Sequence, residues 1–210
     1  FQTYVQDDWR LGSRVTLNLG LRYDLQYDSF NQNLDLSVFP KTIPYIDPAS
    51  RGDLNNLQPR IGFAWDLMGN GRSVVRGAAG LYNRYQWNGV FNAERQNLLQ
   101  TNIVIRNPTY PDPYGGKDPV AFASTAPPNI TIVANDIRNP LAKILTAGVS
   151  REFFTNMGVS VDGVYTRTTG EVVSANINTQ DPATRVRPLP EWGGNVAEIS
   201  GGAHCFKYGF

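Results

Sequence analysis

Val15-Thr-Leu-Asn-Leu-Gly-Leu-Arg-Tyr-Asp-Leu-Gln-Tyr27 is the stretch that decides the fold. Val15, Leu17, Leu19, Leu21, Tyr23, Leu25 and Tyr27 hold one parity, and Thr16, Asn18, Gly20, Arg22, Asp24 and Gln26 hold the other. Successive side chains of an extended backbone point to opposite faces, so this period of two predicts a strand with one apolar and one polar face. A strand in a soluble sandwich alternates in the same way. The length points elsewhere: it exceeds the usual five or six residues or so and suits a tilted bilayer crossing of roughly 9–11.

Outward from that stretch, the same pattern recurs in pairs. Residues 1–9 alternate more weakly and turn through Arg10-Leu-Gly-Ser-Arg14 into 15–27. Residues 58–67 place Ile61, Phe63, Trp65 and Leu67 opposite Arg60, Gly62, Ala64 and Asp66. Gly69-Asn70-Gly71 then closes a tight hairpin, since these residues accept positive φ, and 73–87 returns. A third hairpin joins 142–153 to 157–167 across Phe154-Thr-Asn156, and 203–210 begins a seventh strand. Odd-numbered residues of all six complete strands are expected on one face, because each tight turn preserves the phase.

Between the hairpins lie 28–56, 88–139 and 168–199, rich in Pro, Asn, Asp and Gly, and read as long loops with a short strand at 130–134. Short and long connections therefore alternate along the chain. Tight turns on one rim and long loops on the other are the arrangement of outer-membrane barrels, and a soluble sandwich has no reason to sort its loops so. The odd-parity aromatics fall into two girdles, with Trp9, Trp65 and Phe153 near the tight turns and Tyr23, Tyr27, Tyr85, Trp87 and Tyr165 near the long loops. The expected fold is all-β: an antiparallel up-and-down meander that forms part of a large transmembrane barrel in the cell outer membrane, in contact with its lipid.

Composition agrees and excludes several classes. No window approaches the run of about 18 apolar residues that a membrane helix needs, and the slightly negative mean hydropathy is what strands averaging a lipid and a lumen face give. A formal charge of +1 with no basic run leaves no case for nucleic acid. One Cys and one His, Cys205 and His204, supply neither a disulfide framework nor a metal site. Asp7 and Asp8, being neighbours in a strand, point to opposite faces and cannot share a proton. No catalytic, cofactor-binding or metal-binding residues are expected. Arg51-Gly-Asp53 copies an integrin-binding tripeptide and reads as chance in an Asp- and Gly-rich loop, and the Asn129-Ile-Thr131 sequon carries no meaning in a bacterial outer membrane.

Tyr4-Val-Gln-Asp-Asp-Trp9 followed by Val15-Thr-Leu-Asn-Leu-Gly-Leu-Arg-Tyr-Asp24 resembles the barrel of TonB-dependent outer-membrane receptors. Gln58-Pro-Arg-Ile-Gly-Phe-Ala-Trp65 and Val75-Arg-Gly-Ala-Ala-Gly-Leu-Tyr82 are similar to the next two strands of that family. Asn139-Pro140, Gly148-Val-Ser-Arg-Glu-Phe153 and Val161-Asp-Gly-Val-Tyr165 look like its Oar-like subgroup, which carries a carboxypeptidase-regulatory-like domain. The resemblance covers the strands and not the loops. It implies a 22-stranded barrel with a plugged lumen, of which 1–210 would be an internal fragment lacking the plug, the TonB box and the last strand. It also implies coupling to TonB through that plug, and import of a scarce small molecule, glycan or peptide. A barrel of the same build serving secretion or adhesion, and a soluble β-sandwich binding module, are the alternatives.

Two residue sets follow as candidate sites. Arg22, Asp24, Arg60, Asp66, Arg76, Tyr82 and Arg84 hold the polar parity and are candidates to face the lumen, where they would pair with one another, the plug or the solute. Tyr45, Trp87, Tyr110, Tyr114 and Trp192, with Tyr85, give the long loops aromatic surface for ligand contact near the outer rim.

Overall fold

The computed structural model describes residues 1–38, 46–85, 88–99, 103, 105–122, 129–190, 194–201 and 205–209. Seven strands form one antiparallel sheet: β1 (Gln2–Leu11), β2 (Val15–Asp24), β3 (Leu57–Asp66), β4 (Ser73–Asn83), then β6 (Leu141–Phe154), β7 (Met157–Thr169) and β10 (Cys205–Gly209), neighbours in that order. Between β4 and β6 come the helix α1 (Asn88–Leu99) and strand β5 (Ile130–Val133). Between β7 and β10 come β8 (Val172–Asn176) and β9 (Val196–Gly201).

The pairing keeps one phase across six strands. Trp9 faces Leu17, Leu17 faces Phe63, Trp65 faces Val75, Val75 faces Val149 and Val149 faces Val161, odd against odd throughout. The tight turns of β1–β2 and β3–β4 produce this within their hairpins, because each reverses the chain without slipping the pleat, and β2–β3 and β4–β6 keep the phase across long segments. Gly69 and Gly71 take φ of 73° and 71°, and Asn156 takes 67°, as such turns require. Asp66 completes its turn by accepting from the Gly69 N–H at 2.9 Å and the Gly71 N–H at 2.7 Å. The phase changes at the β6–β7 turn, where Phe154 pairs with Met157 past an irregularity, and at β10, where Tyr208 pairs with Tyr165 and Phe206 with Arg167.

No aliphatic of the odd face is buried. Leu21, Ile61, Phe63, Leu145, Val149 and Val161 are exposed, Val161 by 64%. A soluble sheet would cover such a face, whereas a membrane strand leaves it to lipid. Phe63 lies over its cross-strand partner Gly77, where a Cβ would stand 2.7 Å from the ring, so the glycine makes the seat for the aromatic.

The buried core lies elsewhere, and this corrects the reading of 28–56, 88–139 and 168–199 as long loops, of which only the short strand expected at 130–134 is found, as β5. Every buried hydrophobic residue among those described belongs to them. Leu34, Ile46, Ile130, Ile132 and Val196 form one cluster, and Phe30, Phe91, Val133, Ile137 and Ile199 another. β5 runs parallel to β9, and β9 antiparallel to β8, in a separate three-stranded sheet against which α1 packs. The three segments thus fold together into a cap on the rim opposite the tight turns.

Two strands end earlier than their alternation suggests. β2 stops at Asp24, after which the Leu25 N–H donates to Phe1 O at 2.8 Å and the chain turns at Asp28 with φ of 53°. β4 stops at Asn83. Tyr85 is therefore not on the odd-face girdle: its hydroxyl accepts from Gln2 Nε2, across the polar face. Nor are strand charges confined to the polar parity, since Asp7, Lys143, Arg151 and Arg167 hold the odd positions. Asp7 takes the Trp9 indole N–H.

Candidate functional site

On the polar face of the sheet, two glycines give one long side chain room. Gln6, Gly20, Arg60, Gly80 and Ile144 stand in register across β1, β2, β3, β4 and β6. With glycine on both sides, Arg60 lies flat, its guanidinium 4.4 Å from the centroid of the Tyr82 ring. A Cβ on Gly80 would come within 3.2 Å of Arg60 Cγ and 3.0 Å of the Tyr82 ring, so both contacts depend on its absence.

Next to this row, Asp24 and Gln58 are buried at the ends of β2 and β3. Arg22 Nε donates to Asp24 Oδ1 at 2.8 Å, and Gln58 Nε2 donates to Asp24 Oδ2 at 2.6 Å. Arg60 reaches Gln58 Oε1 only at 3.5 Å. A cavity of about 220 Å³ opens between Tyr4, Gln6, Gly20, Arg22 and Arg60. Two guanidiniums against the one carboxylate of Asp24 leave the pocket with a positive balance, suited to an anionic group.

The other polar-parity candidates are distributed differently. Arg76 crosses over β6 to Asp162, Nε to Oδ1 at 2.9 Å and Nη2 to Oδ2 at 2.6 Å. Arg84 lies past the end of β4 and pairs with Glu171. Asp66 is engaged by the turn amides. The structure therefore gathers Arg22, Asp24, Arg60 and Tyr82 and leaves Arg76, Arg84 and Asp66 in separate contacts. Gln58, which completes the cluster, carries no charge, and the sequence marks it only as the first residue of the family-like run Gln58–Trp65.

In the cap, the decisive residues are ones that the sequence does not mark. Arg51 and Glu94 are fully buried and pair bidentately at 2.7 and 2.9 Å. Arg51 also donates to Val133 O at 2.5 Å, while Glu94 accepts from the Val133 N–H at 2.8 Å and from Asn31 Nδ2 at 3.0 Å. One ion pair thus ties the first long segment to α1 and β5. Asp53 accepts from the Asn139 N–H at 2.8 Å, and Asn139 donates to Asn56 Oδ1 at 3.3 Å, joining the cap to the tops of β3 and β6. Arg51 and Asp53 are buried structural residues, so this tripeptide is closed to any partner.

Of the aromatic candidates, Tyr110 is 97% exposed, and Tyr114 is partly exposed with its ring 6.3 Å from that of Phe122. Tyr45, Trp87, Trp192 and His204 lie outside the described residues. Cys205 is the first residue of β10. Among the described residues no cluster of His, Cys, Asp and Glu could hold a metal ion.

One apolar and one polar face, tight turns on one rim and a folded cap on the other are the marks of a segment of an outer-membrane barrel wall. The chain belongs to the outer membrane beta barrel domain family, whose model matches residues 1–204, and its place is the outer membrane. It is 39% identical over 72 residues, 34% of the chain, to the TonB-dependent transporter Oar of Myxococcus xanthus, and that match spans 6% of Oar. Its fold is similar to the outer membrane transporter YddB of Escherichia coli, with a TM-score of 0.56 at 16% identity over 95% of the chain and 19% of YddB. It is likewise similar to the siderophore receptor PirA of Pseudomonas aeruginosa, with a TM-score of 0.54 at 11% identity over 97% of the chain and 28% of PirA. The chain spans well under two thirds of each of these proteins, all of them transporters or receptors.

Proposed function

We propose that this chain is part of the wall of a TonB-dependent importer, in which the cap captures a scarce solute and the polar face lines the path inward. The observation that carries this reading is the cap. A barrel needs only a few residues to reverse direction, yet three long segments here share a buried core and a buried ion pair. Such a unit presents a folded surface at the outer rim, with the ring of Tyr110 open to solvent, and an ordered surface lowers the entropic cost of binding. The pocket between Arg22 and Arg60 supplies a positive site on the route inward, for an acidic solute group or for a carboxylate of a plug. Siderophores, glycans and peptides all fit a capture surface of this kind, and energy would come through TonB.

The test is uptake and surface binding by cells that carry the complete receptor. Arg22→Gln with Arg60→Gln is expected to leave binding intact and slow transport. Tyr110→Ala is expected to weaken binding. Normal transport in the arginine variant together with normal binding in the tyrosine variant contradicts the assignment.

A further inference from the structure

The turn that joins β3 to β4 holds a reactive pair. Asn70-Gly71 is one of two Asn-Gly pairs in the chain, the other being Asn88-Gly89. In such a pair the backbone nitrogen of the glycine can attack Cγ of the asparagine side chain, because no Cβ on the glycine hinders the approach. The new C–N bond closes a five-membered imide, the bond from Cγ to the side-chain nitrogen breaks, and that nitrogen leaves as ammonia with the proton given up by the glycine N–H. Water then opens the imide at either carbonyl, giving aspartate or isoaspartate. The net change turns an amide and water into a carboxylic acid and ammonia, with nothing oxidised or reduced. Asn70 and Gly71 are both exposed, so water is at hand.

Both reacting groups are held by other partners. The Gly71 N–H donates to Asp66 Oδ2 at 2.7 Å, and Asn70 Oδ1 accepts from the Arg72 N–H at 3.0 Å. Asp66 Oδ1 takes the Met68 and Gly69 N–H groups at 3.2 and 2.9 Å, which fixes the carboxylate in place. Attack requires the Gly71 nitrogen to lose its proton, and an amide beside a carboxylate resists becoming a second negative charge. It also requires a hydrogen bond to a charged acceptor to break, which is the stronger kind. Conversion would matter to the sheet. Isoaspartate adds a methylene to the backbone of the turn that sets Trp65 against Val75 and Ala64 against Arg76, and aspartate puts a second carboxylate beside Asp66.

We propose that Asn70 is a deamidation site guarded by Asp66: while the carboxylate holds the Gly71 N–H, Asn70 keeps its amide, and when the turn opens the pair converts. Asp66 is a positioning residue here, acting through the Gly71 amide. The inference rests on the turn alone, and not on solute import.

The experiment incubates the complete receptor in neutral detergent at mildly alkaline pH and follows Asn70 by peptide mass spectrometry, with isoaspartate read by enzymatic methyl labelling. Folding is checked by heat-modifiable gel mobility, and Asn88-Gly89 in the same digest is the internal reference. The folded wild type is expected to convert Asn70 at least about tenfold more slowly than the same protein unfolded in urea, the effect of one hydrogen bond to a charged group. Asp66→Asn, which keeps an acceptor without the charge, should convert faster than wild type, and Asp66→Ala faster still, with Asn88-Gly89 the same in all three folded proteins. Hydrogen exchange of the Gly71 amide should rise in the same order. Conversion in the folded wild type as fast as in urea overturns the proposal without recourse to any variant. So does a folded Asp66→Ala barrel that keeps the wild-type rate, or one in which Asn88-Gly89 accelerates as much as Asn70, because then the change is a general loosening.

Discussion

Arg76 on β4 and Asp162 on β7 meet across the intervening strand, over Gly148 of β6, with which both stand in register. A Cβ at Gly148 would lie 1.9 Å from Asp162 Oδ1, so the pair exists because that residue is glycine. Gly148→Ala is expected to separate the pair as fully as Asp162→Asn does. In a double-mutant cycle the two changes should then be strongly non-additive in thermal unfolding of the barrel. Additive effects would show that the alanine acts elsewhere.

Within the cap, Glu94→Gln leaves the buried Arg51 charge without its counter-ion. Breaking a buried pair from one side costs about 3–5 kcal/mol, and the loss should fall on the cap alone. Hydrogen exchange of the amide N–H of Val133, which donates to Glu94, should accelerate, while amides of β2, β3 and β4 keep their protection. Arg51→Met with Glu94→Leu should recover only part of the stability, because it removes both buried charges but leaves the Val133 N–H and O without their partners.

Phe91 packs edge-on against Phe30, with centroids 5.3 Å apart, and both are buried. Phe91→Ala should cost about 3–5 kcal/mol and loosen all three long segments together. Limited proteolysis should then cut within 28–56, 88–139 and 168–199 at similar rates. Cutting confined to 88–139 would mean that the segments are independent.

The strands were legible because their signal is local. Leu19, Phe63, Val75 and Val149 share a face that parity assigns, and the pairing of β2 with β3 and of β4 with β6 keeps that phase from one hairpin to the next. Strand ends were less legible, since the alternation of Leu25 and Tyr27 continues past Asp24, where the backbone turns into the cap. The cap was not legible at all. Phe30, Phe91, Ile130 and Val196 make their contacts across long sequence separations, and Asn-, Asp- and Pro-rich surroundings conceal them in a loop-like composition. Arg51-Gly-Asp53 shows the same effect: its meaning lies in Glu94 and Asn139, distant in the chain. Lys143 and Arg167, by contrast, could have been placed outward from strand phase alone.

Asp181 gives a pH-dependent element in the third long segment. Its carboxylate accepts from the Thr184 and Ala183 amides at 3.1 and 2.7 Å, and those backbone N–H groups hold its pKa below the usual aspartate value. A depressed folded-state pKa means that the turn is supported above the ordinary aspartate range and loses that support as pH falls through the lowered value. Carboxyl NMR should show Asp181 titrating below a free aspartate, and Asp181→Asn should remove the acid-induced opening of 181–186.

The central claim is that the odd-numbered face meets lipid while the even-numbered face meets water. Nitroxide labels placed one at a time along 143–153 and 15–23, in the complete receptor reconstituted into bilayers, test it by relaxation with oxygen, which concentrates in lipid, and with a water-soluble nickel chelate. The expected result is a period of two in both strands with the same phase: oxygen access high at 17, 19, 21, 145, 147 and 149, and nickel access high at 18, 20, 22, 146 and 148. Uniform access to the nickel reagent, or opposite phases in the two strands, would contradict the barrel wall described above.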